Sequence, residues 1–190
     1  MTTAARPQRA DAARNRTAIV EAAMACLSRD PQASMATIAA EAGVGRVTLY
    51  GHFSSRAELV EAGLVHVLHD SEHTLGHVDT SGSASDALRR LVDSSWQLLN
   101  TFRMALAAAE NELPAETIRR HHEAPLQRVE SIIERGRKDG EFRTDLPAAW
   151  LVACFYTTLH TAAGEITAGR LAESKASNVI WTTLESILRP

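Results

Sequence analysis

The stretch "AEAGVGRVTLYGHF" (Ala40–Phe53) carries the reading of the whole chain. Val44, Leu49 and Phe53 are spaced to be buried, yet the segment is too short to build a core. Arg46, Val47, Thr48, Tyr50 and His52 do not fit that buried face. Just upstream, Ser34 suits an N-cap, its side-chain oxygen taking a free amide of the next turn. Met35–Ala42 then reads as a short helix burying Ile38, Ala39 and Ala42. Gly43 ends it, because glycine takes positive φ at the lowest steric cost, and Val44 is expected as a buried hinge. A second short helix is expected from Gly45 or Arg46 to His52. Two short helices joined in this way have the spacing of a helix-turn-helix, whose second helix enters the DNA major groove with its N-terminal residues at base edges. On that reading Leu49 and Phe53 hold the second helix down, Arg46, Val47 and Thr48 face bases, and Tyr50 and His52 reach the flanking phosphates. Arg46 suits a bidentate contact to guanine, and the methyl groups of Val47 and Thr48 suit a thymine methyl. The Tyr50 and Thr48 hydroxyls and Arg56 would fix register without reading sequence. Ser34 and Met35 complete the candidate DNA-contacting set.

Outward from this stretch the chain reads as helix throughout, with sparse glycine and proline and no strand-period alternation beyond a few residues. Residues 6–16 hold four arginines and are expected to form a mobile basic arm. From Arg16 to Arg29, the spacing of Ile19, Ala22, Ala23, Cys26 and Leu27 gives one buried helical stripe. Ser55 and Glu58 form an S-x-x-E capping box opening a long helix to about Leu75. Residues 76–85 are a polar, glycine-containing linker. Ala87–Leu99 is helix-periodic, and Phe102, Met104, Leu106 and Ala107 suggest a further helix. Pro114 opens another, running to Lys138 with a kink at Pro125. Gly140 is a C-cap candidate, and Asp145 an N-cap ahead of a helix over Pro147–Thr167. A helix over Glu173–Leu188 closes the chain. The fold class is therefore all-α with about nine helices: an N-terminal three-helix DNA-binding domain (residues 1–55) and a C-terminal helical domain (56–190).

Net charge is −3, but it is unevenly placed. Residues 1–60 hold seven arginines against five acids, a balance of +2, and the remainder holds 13 basic residues against 18 acids, −5. That is the sign expected of a small DNA-contacting head on an acidic body. Cys26 and Cys154 lie far apart in helix-like patterns and read as buried thiols in a reducing cytoplasm. There is no apolar run long enough to cross a bilayer and no secretory signal pattern.

"TIAAEAGVGRVTLYGHFSSRAELVEA" (Thr37–Ala62) resembles the DNA-binding signature of the tetracycline-repressor (TetR) family of bacterial regulators, the likeness extending over about Ile19–Leu64. Carrying it are Ala39, Gly43 and Val44, the Thr48-Leu49-Tyr50-x-His52-Phe53 block, and Arg56 with Leu59. The family commonly has serine at the position of Gly45 and a larger residue at that of Gly51. Glycine is a weaker N-cap, and mid-helix it costs about 1 kcal/mol of propensity.

One reading helix touches too few base pairs for a unique address, so a homodimer on a palindromic operator is expected, with half-sites about one helical turn apart. Thr157, Thr161, Trp181, Leu184, Ile187 and Leu188 are the interface candidates. The resemblance implies that the last two helices pair with their mates in a four-helix bundle. It also implies an unknown small-molecule effector in the C-terminal domain, for which Trp96, Leu99, Phe102, Met104, His122, Phe155, Tyr156 and His160 are candidate lining residues. The expected function is a transcriptional regulator, a repressor released by its effector, with no enzymatic activity, cofactor, resident metal or membrane partner. Two alternatives stand beside it. His66, His69 and His73 share one helical face and offer imidazoles for a metal sensor, and an adaptor that no longer binds DNA would keep the same fold.

Overall fold

The computed structural model describes residues 5–190, with side chains from Ala13 onward. Among the described residues it is all-helical: α1 (Ala5–Arg29), α2 (Met35–Glu41), α3 (Arg46–His52), α4 (Arg56–Leu75), α5 (Ala84–Glu112), α6 (Ala115–His121), α7 (Glu123–Lys138), α8 (Ala148–Thr167) and, after a 3₁₀ turn at Glu173–Lys175, α9 (Ala176–Leu188). No described helix is long and apolar enough to cross a membrane. Residues 6–16, expected as a mobile basic arm, lie in the first turns of α1. The side chains of Arg6 and Arg9 lie outside the described residues.

The chain divides into two compact units, with the divisions falling inside α4, α5 and α6. The first holds the described residues to Val67 together with Met104–Ile118, and the second holds Leu68–Arg103 with Arg119–Pro190. This differs from a boundary at residue 55. The first half of α4 stays with the first unit because Leu59, Val60 and Leu64 are buried. Gly63 also lies so close to Met24 that any side chain there would strike the sulfur.

In the first unit α1 packs on α2, and α2 on α3. Ile19, Ala23 and Leu27 of the α1 stripe are buried, as are Ile38, Ala39, Leu49, Phe53 and Leu59. Burial pushes the Cys26 thiol pKa up, so it sits here as a small hydrophobe.

In the second unit α7 packs on α8, and α8 on α9. Their shared core includes Leu88, Leu91, Ile133, Leu151, Ile180 and Leu184. The Glu141 carboxylate accepts the Ala84 and Ser85 amides at 2.9 Å each, satisfying two of the free donors that open α5. Three sequence expectations are corrected here. The two helices expected over residues 87–107 are one, α5, because no breaker interrupts the run. The helix expected from Pro114 to Lys138 is broken at His122 rather than kinked at Pro125. Pro125 falls in the first turn of α7, where its missing N–H needs no partner. In a continuous helix its ring would collide with the carbonyl of His121, so the chain breaks just upstream. Asp145 does not cap α8: it pairs with Arg143 at 2.7 Å, and Pro147 stands at the cap.

Candidate nucleic-acid interface

The turn between α2 and α3 is fixed by its backbone. The Ser34 hydroxyl accepts the Thr37 amide at 3.1 Å and opens α2. At the other end Gly43 has φ +66°. Its amide donates to Ala40 O at 3.1 Å, and that of Val44 to Ala39 O at 3.0 Å. This doubly bonded helix stop needs a left-handed residue at its centre, which is why a glycine stands there. Val44 and Ala42, expected to be buried, are half-buried. Gly45 caps α3 in extended conformation with no side-chain bond, and the Leu49 amide closes the first turn onto Gly45 O at 3.0 Å.

From this turn α3 presents two unlike flanks. Leu49 and Phe53 are fully buried. Arg46, Val47, Thr48, Tyr50 and Gly51 are exposed, with Val47 at 88% and Tyr50 at 51% of full exposure. The Arg16 guanidinium of α1 lies 4.6 Å from the centre of the Phe53 ring. A cation so placed is held by the ring face, and it brings a second exposed arginine to the end of α3. Arg16 closes the expected arm, and its position one turn ahead of Ile19, at the head of the buried stripe, is the sequence signal for its place.

The remaining candidates divide. Ser34 is exposed but its oxygen is engaged by Thr37, and Met35 and His52 are half-buried. Arg56 is turned inward. Its Nε donates to a Glu112 carboxylate oxygen at 2.7 Å, Nη2 to Pro31 O at 2.7 Å, and Nη1 to Ala33 O. A guanidinium spent in this way is not offered to a phosphate, which corrects the expectation for Arg56. The capping box opening α4 is also shifted. Ser55 accepts the Glu58 amide at 3.1 Å, but the Glu58 carboxylate bonds the hydroxyl and amide of Ser54. Those bonds hold the Glu58 carboxyl below the usual carboxylate range.

In the second unit three candidate effector residues are brought together. The rings of His122 and His160 are 5.4 Å apart, His122 and Tyr156 5.2 Å, and Tyr156 and His160 4.1 Å. Trp96 lines an open cleft of about 720 Å³ with Gln97, Asn100, Thr101, Glu173 and Ser174. Phe155 is buried, Leu99 and Phe102 are half-buried, and Met104 belongs to the first unit.

The interface candidates also divide. Trp181, Leu184 and Leu188 are buried within their own chain and Ile187 is half-buried. Thr157 and Thr161 are exposed, in line with Gly164 and with Trp150, which is 59% exposed. On α9 the exposed residues are Asn178, Val179, Thr182, Thr183 and Ser186. His69 and His73 lie edge to face with ring centres 5.8 Å apart. Among the described residues, no three His, Cys, Asp or Glu side chains converge to hold a metal.

A short helix locked by a glycine turn, pinned by two buried side chains and exposing arginine, valine, threonine and tyrosine defines a helix-turn-helix protein. Residues 19–62 match the sequence profile of the bacterial regulatory proteins of the tetR family. The HTH-type transcriptional repressor LfrR of Mycolicibacterium smegmatis is 42% identical over 86 residues, covering 45% of this chain and 46% of that protein. The aligned stretch thus spans about half the length of this curated relative. The crystal structure of LfrR from Mycobacterium smegmatis in complex with proflavine superposes with a TM-score of 0.69 at 25% identity, over 93% of this chain and 97% of that one. The fatty acid degradation regulator FadR from Bacillus halodurans shares the fold, with a TM-score of 0.74 at 16% identity, over 89% and 93% of the two chains. Residues 19–62 thus carry the tetR-family signature of bacterial regulatory proteins, and the chain shares the fold of TetR-like regulators of known structure.

Proposed function

We propose that the chain is a transcriptional repressor that binds a palindromic operator as a homodimer and leaves it when a small molecule binds. The observation that carries this is the outward flank of α3, where Val47 is 88% exposed beside Arg46, Thr48 and Tyr50. An apolar side chain held out so far on a rigidly seated helix suits contact with a thymine methyl, and Arg46 at the first position suits guanine. The first 60 residues, with their balance of +2, supply part of the field that draws such a helix to DNA.

Dimerisation falls to the outer faces of α8 and α9. Trp150, Thr157, Thr161 and Gly164 on one helix, and Val179, Thr182 and Thr183 on the other, form uncharged exposed rows where small residues permit close helix approach. The effector site falls to the second unit, around His122, Tyr156 and His160. LfrR was crystallised with proflavine, and a flat aromatic of that kind suits a wall of clustered rings. Release then follows from linkage: a ligand that prefers the conformation unable to bind DNA lowers operator affinity by the ratio of its own two affinities. Such a regulator acts in the cytoplasm, where its DNA is, and needs no enzymatic step.

Selection of duplexes from a randomised library by the purified chain tests the reading. The expected winners carry two inverted half-sites about one helical turn apart. Arg46→Ala relaxes preference at one base pair of each half-site, worth about 1–3 kcal/mol. Tyr50→Phe weakens binding to every sequence alike, as loss of a phosphate contact should. Failure of the chain to enrich any sequence at low salt sinks the proposal. An Arg46→Ala variant with unchanged preference sinks the assigned orientation of α3.

A further inference from the structure

We propose that Glu112 is a positioning residue for DNA reading, acting through Arg56. The inference rests on the DNA-binding reading above and names the interior latch that holds the reading helices in pitch.

The three groups that Arg56 joins come from two separate parts of the first unit. Pro31 and Ala33 lie in the turn between α1 and α2, and Glu112 is the last residue of α5. Ala33 immediately precedes Ser34, the N-cap of α2, so the two carbonyls held by the guanidinium belong to the entrance of the helix-turn-helix. Backbone carbonyls turned into a fold need donors, and the planar fork of an arginine can serve two at once. The side chains of Arg56 and Glu112 keep only 20% and 29% of full exposure. A guanidinium so withdrawn from water needs a compensating charge, and Glu112 supplies it at Nε, 2.7 Å away. Remove that carboxylate and the arginine turns outward to solvent. The carbonyls of Pro31 and Ala33 lose their donors, and the entry angle of α2 is no longer fixed. Because α3 packs on α2, its angle of presentation shifts with it. α5 is one helix from Ala84 to Glu112, so the placement of its last turn sets the latch.

If Arg56 instead contacted a phosphate, Arg56→Ala would reduce the salt dependence of binding by about one unit of slope. In the latch it leaves that slope alone and lowers selectivity. The test uses the full chain and fluorescence anisotropy against its library-selected duplex and a scrambled one, over a salt series well below the melting temperature. Glu112→Ala and Arg56→Ala are each expected to weaken the selected duplex about ten-fold. The scrambled duplex binds as before, the slope holds, and the double variant is no weaker than either single one. Glu112→Gln retains an acceptor for Nε–H and falls between. It also serves as the folded variant should alanine unfold the chain. An ion pair that only stabilises the fold would lower the melting temperature and leave the selected-to-scrambled ratio in place, which overturns the proposal. Additive effects, or a slope reduced by one in Arg56→Ala, overturn it equally. A parent chain that selects no duplex overturns the DNA-binding reading and this latch with it. A selective parent with unaltered variants overturns the latch alone.

Discussion

Phe53→Ala is expected to destabilise the first unit by about 3–5 kcal/mol, the range for emptying a fully enclosed aromatic site, and to abolish sequence-selective DNA binding. Phe53 has no exposed surface, and its amide closes α3 onto Leu49 O at 2.9 Å. Its ring also carries the Arg16 guanidinium on one face. Truncation therefore opens a cavity under α3 and frees a cation from α1 in one change. A loss of this size is a large part of the total stability of a small domain. Urea denaturation followed by circular dichroism measures it, with Val47→Ala as the comparison. Val47 faces solvent, so its truncation should change stability by less than about 0.5 kcal/mol. A Phe53→Ala variant within 1 kcal/mol of the parent would mean that α3 is not seated by this side chain.

Gly164→Arg is expected to produce a folded monomer whose affinity for a two-half-site duplex falls by about 10²- to 10⁴-fold, the scale on which linking two binding modules raises avidity. A side chain built at Gly164 meets no atom of its own chain, so a lost dimer would not reflect a damaged subunit. A guanidinium brought to the uncharged outer row of α8 would have to be buried unpaired against its mate. Sedimentation velocity and anisotropy on whole and half sites are the two measurements. A variant that remains dimeric with full affinity places the subunit interface elsewhere.

The reading helices were legible in the sequence because their determinants are local. Ser34 at an N-cap, glycine where φ must be positive, and Leu49 four residues before Phe53 all act within one or two turns. What escaped depends on distant partners. Nothing near Arg56 announces that its acceptors lie 23, 25 and 56 residues away. Helical spacing alone made Trp181, Leu184 and Leu188 an apolar stripe, but whether such a stripe meets its own chain or another depends on which helices already cover it. Trp150 falls in line with Thr157 and Thr161 at helical spacing and is exposed as they are. His122, Tyr156 and His160 enter the sequence reading as separate candidates. Their meeting across α7 and α8 followed from the packing of two helices, which spacing along the chain does not encode.

The solvent-facing flank of α3 also has an evolutionary consequence. Arg46, Val47, Thr48 and Tyr50 are all exposed, and none is counted in the core. Substitutions there can drift with little penalty to folding, so on the proposed DNA-reading role a duplicated copy could acquire a new genomic address while its scaffold stays the same. Paralogues should then diverge at these four positions long before they diverge at Leu49 or Phe53.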